Sequence, residues 1–164
     1  MTHHLAQHLA QLNIAQMRAS LADPVMAGFV AQIDEMNAAA EASTGFVWRL
    51  VMDDNEAGSA SVFGRQHLLL NLSVWTSIDA LRDYAYRGVH AGPLRDRQRW
   101  FLPMEPPTSV LWWVPKDHRP DGAEGKNRLE RLARNGPAAE AFTFGQRFPP
   151  PGPQRDAAGS RGQQ

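Results

Sequence analysis

Residues Leu68–Trp75, LLLNLSVW, carry two messages in alternation. Leu68, Leu70, Leu72 and Val74 fall at every second position and are all aliphatic, whereas Leu69, Asn71, Ser73 and Trp75 between them are mixed polar and aromatic. Successive side chains of a strand point to opposite faces, so this segment predicts a strand with two unlike faces. The aliphatic face demands a hydrophobic layer against it. The other face, with an amide, a hydroxyl and an indole in line, suits an interface or a ligand.

Toward the N-terminus, Leu9–Gln16 shows the same period, Ala10, Leu12 and Ile14 alternating with Leu9, Gln11 and Asn13, and predicts another strand. Asp23-Pro24 then reads as a helix start, an N-cap oxygen followed by proline at the first helical position. Val25, Phe29, Ile33, Met36, Asn37 and Ala40 follow at helical spacing until Gly45. Gly45–Met52, GFVWRLVM, predicts a strand with Phe46, Trp48 and Leu50 on one face and Val47, Arg49 and Val51 on the other. Asp53–Arg65 reads as a loop.

Toward the C-terminus, Ser77 caps a helix carrying Ile78, Leu81, Tyr84 and Ala85, interrupted at Gly88 and Gly92-Pro93, with a further helical stretch to about Phe101. Thr108–Pro115, TSVLWWVP, predicts a strand that puts Trp112 and Trp113 on opposite faces. Glu124–Arg134 forms a short charged helix closed by Gly136-Pro137, and Phe142–Phe144 a short edge strand. From Pro149 the residues are too poor in apolar groups to offset ordering entropy. One domain over residues 5–148 and a disordered tail over 149–164 are therefore expected.

The order β-α-β-β-α-β is that of the ferredoxin-like α+β fold, an antiparallel sheet with its helices on one face. The opposite face would then be bare and would carry Leu69, Trp75 and either Trp112 or Trp113, an apolar patch that marks an interaction surface. A second copy of the chain is the expected cover, and a homodimer of this kind encloses a cavity between the two sheets.

Bulk properties narrow the partners. The chain has 164 residues and a formal net charge of zero, with no long basic run, which disfavours nucleic acid. The absence of cysteine excludes disulfides, thiolate metal sites and a Cys nucleophile. No stretch is long and apolar enough to span a bilayer, and MTHHLAQHLAQLNIAQ lacks the pattern of a secretory signal, so no membrane partner and a cytoplasmic location are expected. His3, His4 and His8 sit near the terminus, and no histidine pair has HExxH or facial-triad spacing, so no metal is expected. Gly58, Gly64, Gly88 and Gly92 form neither GxGxxG nor a P-loop, and no nucleophile elbow is present.

The stretches LAQLNIA, GFVWRL, NLSVWTSIDALRDYAYRGVH, RQRWF and SVLWWVP resemble an uncharacterised bacterial family, a domain of unknown function of the dimeric α+β barrel superfamily. The resemblance covers roughly residues 5–148. Within that superfamily the chain is similar to the antibiotic biosynthesis monooxygenases, whose cofactor-independent members oxidise anthrone-like polyketides to quinones. They carry an Asn four residues before a Trp on the third strand, matched here by Asn71 and Trp75. An Asn on the first strand is matched by Asn13, and an Arg after the second helix by Arg95.

Together with strand-face placement and with His90, three residues after Arg87, these matches give an expected catalytic set of Asn71, Trp75, His90 and Arg95, with Asn13, Ser73, Trp113 and Leu69 as substrate-binding residues. The expected ligand is a small apolar or aromatic molecule. An Asn amide both donates and accepts, so it can hold a phenol or developing enolate oxygen, and Trp supplies a flat wall. His90 could act as a base. No cofactor is expected on this reading. Two alternatives stand beside it. One is a haem protein with His90 as axial ligand and Arg95, Arg97 and Arg99 toward the propionates. The other is a non-enzymatic ligand-binding or interaction module.

Overall fold

The computed structural model describes residues 6–51, 62–90 and 97–152, with 88–90 described in backbone only. Strand β1 spans Gln7–Met17, and a single 3-10 turn, Pro24–Met26, leads into helix α1, Ala27–Glu41. Strands β2, Phe46–Arg49, and β3, Leu68–Trp75, follow, then helix α2, Ile78–His90. Helix α3, Arg97–Trp100, runs directly into the two-residue strand β4, Phe101–Leu102, and strand β5, Ser109–Pro115, precedes helix α4, Gly122–Asn135. Among the described residues no helix is long and apolar enough to cross a membrane.

The fold is mixed α+β on one antiparallel sheet. β2 lies beside β3, β3 beside β1, and both β5 and the short β4 pair with the far edge of β1. Each of the two crossovers, β1 through α1 to β2 and β3 through α2 to β5, skips one strand, and the skipped strand fills the gap antiparallel to its neighbours. The register places Leu9 opposite Trp75, Gln11 opposite Ser73 and Asn13 opposite Asn71. On the other side of β1, Leu9 meets Trp113, Gln11 meets Leu111 and Asn13 meets Ser109.

Period two therefore sorts three strands at once. Ala10, Leu12 and Ile14 join Leu68, Leu70, Leu72, Val74, Val110, Trp112 and Val114 in one buried aliphatic cluster. Leu12, Leu68 and Trp112 are wholly buried there, and at about 1.5–3 kcal/mol for each large apolar side chain this face is the main core. Its cover is α4, whose Leu129 and Leu132 enter the same cluster. Gly125 lets that helix approach closely, since a Cβ there would lie 3.0 Å from Leu12 Cδ2. Trp112 is tied to the helix by its Nε1, which donates to Glu124 Oε2 at 2.8 Å.

Helices α1 and α2 lie on the opposite face. Phe29, Ile33 and Met36 pack with Met17, Leu69 and Trp100, while Ala40, Ile78, Leu81 and Tyr84 pack with Leu9, Trp75 and Trp113. The expectation that all helices share one face is thus corrected. Helices cover both sides, and the face carrying Trp75 is the one under α1 and α2. Trp75 is 1% exposed within a single chain, so the bare tryptophan surface that called for a second copy does not exist. The physical reason is that α4, whose charged composition conceals an apolar edge at Leu129 and Leu132, covers the aliphatic face, while Phe46 and Tyr84 close over Trp75 on the other.

Local signals behave as their chemistry requires. Asp23 caps the turn before α1 by accepting from Val25 N at 2.9 Å. Gly45 has φ +87°, and a Cβ there would meet Ala80 Cβ at 2.4 Å, so only glycine fits between α1 and the start of α2. Ser77 caps α2, its Oγ accepting from Ala80 N at 3.1 Å. The helix continues through Gly88 to His90 instead of breaking there, and Gly92-Pro93 lies outside the described residues. Of the stretch before Phe101, the described residues form one helical turn, Arg97–Trp100. Phe142 adds not a full strand but a single bridge, exchanging two 2.8 Å backbone hydrogen bonds with Leu111 and so covering the edge of β5. Most of the expected tail, residues 153–164, lies outside the described residues.

Candidate functional site

Two rungs of the sheet carry polar groups toward α1 and α2. One rung runs Ser73–Gln11–Leu111 across β3, β1 and β5, and the next runs Asn71–Asn13–Ser109. Strand β2 extends the first rung with Arg49, which faces Ser73. It does so because of a bulge. Phe46 opposes Trp75 and Trp48 opposes Val74, leaving Val47 as the extra residue. Strict alternation puts Phe46 and Trp48 on one face; the bulge separates them, sending Trp48 to the aliphatic core while Phe46 and Arg49 point to the polar face.

Above these rungs a cavity of about 410 Å3 opens between sheet and helices. Gln11, Asn13, Asn71, Ser73 and Trp75 line it from the sheet, Asn37 from α1 and Tyr84 from α2. Arg49, Arg97, Phe46 and Phe144 complete the wall. Its volume lies within the roughly 300–1,000 Å3 of ligand pockets.

The floor is ordered by one chain of hydrogen bonds. Gln11 Nε2 donates to Asn71 Oδ1 at 2.9 Å and to Ser73 Oγ at 2.8 Å, and Trp75 Nε1 donates to the same Ser73 oxygen at 2.8 Å. Both lone pairs of Ser73 Oγ are therefore occupied, which leaves its hydrogen to donate. With Oδ1 of Asn71 accepting from Gln11, the Nδ2 hydrogens remain for a ligand. Gln11 and Ser73 are buried at 8% and 5% exposure, whereas Asn71 is exposed, so the site grades from a dry floor to a wet mouth.

Aromatic rings form the dry end. Trp75 stacks on Tyr84 at 5.2 Å between centroids and meets Phe46 edge-on at 5.4 Å. The Tyr84 hydroxyl donates to the Met36 carbonyl at 3.2 Å, fixing the ring against α1. Burial pushes the Tyr84 phenol above its ordinary value of 10.0, with the nearby Arg49 charge pulling weakly the other way. Tyr84 therefore stays protonated at neutral pH. Arg49 is itself paired, its Nε donating to Glu41 Oε1 at 2.7 Å.

Of the residues singled out in the sequence, Asn13, Asn71, Ser73 and Trp75 come together around this cavity. Leu69 and Trp113 share the sheet face but do not line it. Leu69 packs with Met17, Phe29 and Trp100, and Trp113 donates from Nε1 to the Phe148 carbonyl at 3.0 Å. His90 is the last residue of α2, with its side chain outside the described residues, and Arg95 lies outside them altogether. Arg97, noted in the sequence only beside Arg95, does line the cavity.

Sequence reasoning missed Gln11, Arg49, Asn37 and Tyr84 as site residues. Gln11 carried a usable signal, alternating in phase with Asn13. Tyr84 followed Leu81 at helical spacing and read as core. Arg49 carried none, because the bulge is invisible to alternation.

A family model described as "Domain of unknown function (DUF3291)" matches residues 8–158. No curated protein matches the chain. Among solved structures, the chain is similar to SnoaB, a cofactor-independent oxygenase from Streptomyces nogalater. The identity is 17% and the TM-score 0.39, covering 70% of this chain and 97% of that one. It is also similar to an uncharacterized NIPSNAP-like domain protein from Burkholderia xenovorans, at 10% identity and a TM-score of 0.41, covering 72% of this chain and 92% of that one.

Proposed function

The chain belongs to the DUF3291 family of domains of unknown function, and from that premise we propose that it binds a planar, oxygen-bearing aromatic molecule between its sheet and helices α1 and α2. The observation that carries this reading is the convergence of Asn13, Asn71 and Ser73 on a cavity closed at one end by the stacked Trp75–Tyr84 pair. Ring stacking supplies affinity, and the amide and hydroxyl donors fix where the ligand oxygen sits.

The resemblance to the antibiotic biosynthesis monooxygenases extends the proposal to a reaction. A ring methylene loses a proton to give an enolate whose oxygen is held by Asn71 and Asn13, while Arg49 and Arg97 add positive charge to the same cavity. The carbanion then donates electrons to molecular oxygen. A carbon–oxygen bond forms, the oxygen–oxygen bond breaks, one oxygen becomes the ketone and the other leaves as water with the two methylene hydrogens. Tyr84 is protonated and bonded to Met36, so it positions Trp75 and does not take the proton. Assistance to deprotonation is assigned, as part of the proposal, to His90 or Arg95.

The fold around this site is proposed to be the ferredoxin-like unit of the dimeric α+β barrels, one domain over residues 5–148 in a cytoplasmic protein. Self-association is a separate proposal, since the described cavity is built from a single chain.

The test is oxygen consumption against a panel of anthrones and dihydroxyphenols. Asn71→Ala is expected to lower turnover roughly 100-fold, the usual cost of one donor to a developing oxyanion. Turnover unchanged by Asn71→Ala sinks the mechanism. Thermal stabilisation by the panel without oxygen uptake by the wild-type protein reduces the reading to a ligand carrier.

A further inference from the structure

A second cavity, of about 320 Å3, opens beside the first and shares Ile14, Arg97 and Thr108 with it. Its origin is a gap in the sheet. β5 pairs with β1 as far as Asn13 opposite Ser109, followed by one further bond from Ile14 N to the Thr108 carbonyl at 2.9 Å. β4 takes up the same edge of β1 only at Gln16, opposite Leu102. Residues 103–107 leave the sheet between these points, and the edge of β1 around Ile14 and Ala15 opens into the cavity.

The lining of this gap has a definite chemistry. Phe101, Leu102, Pro103 and Met104 give it an apolar wall, and Arg18 and Arg97 give it two guanidinium groups. Arg18 is oriented by its Nε, which donates to the Gln98 carbonyl at 2.8 Å, a bond that does not use the two terminal nitrogens of the guanidinium. Among the described residues lining either cavity there is no Asp or Glu, although the whole chain has as many acidic as basic residues. Among the described residues, the charged side chains that line the two cavities are therefore all arginines. A planar guanidinium matches a carboxylate in two parallel hydrogen bonds, and the apolar wall suits the methylenes of a short arm.

Resting on the reading that the first cavity holds a ring, we propose that the second cavity holds an acid group attached to that ring through a short flexible chain. The substrate class of the ring site is then narrowed to aromatics that carry an acid arm. Arg18 is the residue that selects it, at a distance from the ring site. The two cavities meet at Ile14, Arg97 and Thr108, and Arg18 lies five residues beyond Asn13, about 17 Å along the strand, a span shared by the ring, the arm and the reach of the arginine side chain.

The experiment compares naphthol, naphthylbutanoate and the primary amide of naphthylbutanoate as ligands, by calorimetry on the wild-type chain and on Arg18→Gln. Naphthylbutanoate is expected to bind the wild type roughly tenfold tighter than its amide, the usual worth of a charge-assisted pair. That preference is expected to collapse in Arg18→Gln, while the affinity for naphthol stays unchanged and shows the variant to be folded. Naphthol binding without any preference for the acid, or a preference unmoved by Arg18→Gln, overturns the acid arm alone. No binding of naphthol to the wild type overturns the ring site, and the acid arm with it.

Discussion

Gln11 is the residue through which the candidate site is assembled. Its one amide nitrogen bonds both Asn71 and Ser73, so a single side chain of β1 sets the orientation of two side chains of β3. Gln11→Leu keeps the approximate shape and removes both donors, leaving Asn71 Oδ1 short of a partner and the Ser73 oxygen with Trp75 alone. A loss of about 1–2 kcal/mol in urea unfolding is expected, together with weaker naphthol binding. Full retention of naphthol affinity would argue against an ordering role for Gln11. Tyr84 gives a second test. Its folded-state pKa is raised by burial, so its contribution to stability is complete below 10.0 and is lost as pH rises beyond that value through the folded pKa. Tyr84→Phe should therefore flatten the decline of the melting temperature above pH 10.0, and an identical alkaline profile in the two proteins would contradict the burial effect. At this scale the sequence was informative wherever a residue sat in phase with its strand, as Asn13, Asn71, Ser73 and Trp75 do. It was silent on Arg49, because one extra residue at Val47 reverses the phase.

Among the elements, β3 was legible to its ends, since eight alternating residues bounded by turn formers leave little freedom in assignment. Helix α4 was legible as a helix but not as a lid. Its charged residues dominate the pattern, and its buried positions are Gly125, Leu129 and Leu132. Because the closest of these contacts is a glycine against Leu12, bulk at that position is expected to lift the helix. Gly125→Leu should cost about 1–3 kcal/mol or more by overpacking and raise the fluorescence sensitivity of Trp112 to quenchers, since that indole is tied to Glu124 on the same helix. A variant as stable as the wild type, with Trp112 still shielded, would mean that α4 does not bear on the core as described.

For the whole molecule, burial of both sheet faces within one chain changes what self-association must do. Trp75 and Trp112 are at 1% and 0% exposure within one chain, so burying these two rings, one on each sheet face, does not call for a second copy. The affinity for naphthol is accordingly expected to be independent of protein concentration across any range in which sedimentation shows the chain associating. Affinity that rises with association would show that a second copy completes the site. Read alone, the sequence determined β1, β3 and β5, the caps at Asp23 and Ser77 and the alternation of faces along those three strands, because alternation and capping depend on residues a few positions apart; the bulge in β2 and the two-residue β4 lay beyond it. Only the tertiary structure decided which helices lie against which face and hence where the cavity opens. Any amphipathic helix can satisfy an apolar surface, and the choice among them is made by close fit between segments distant in the chain, as Gly125 on Leu12 and Tyr84 on Trp75 illustrate.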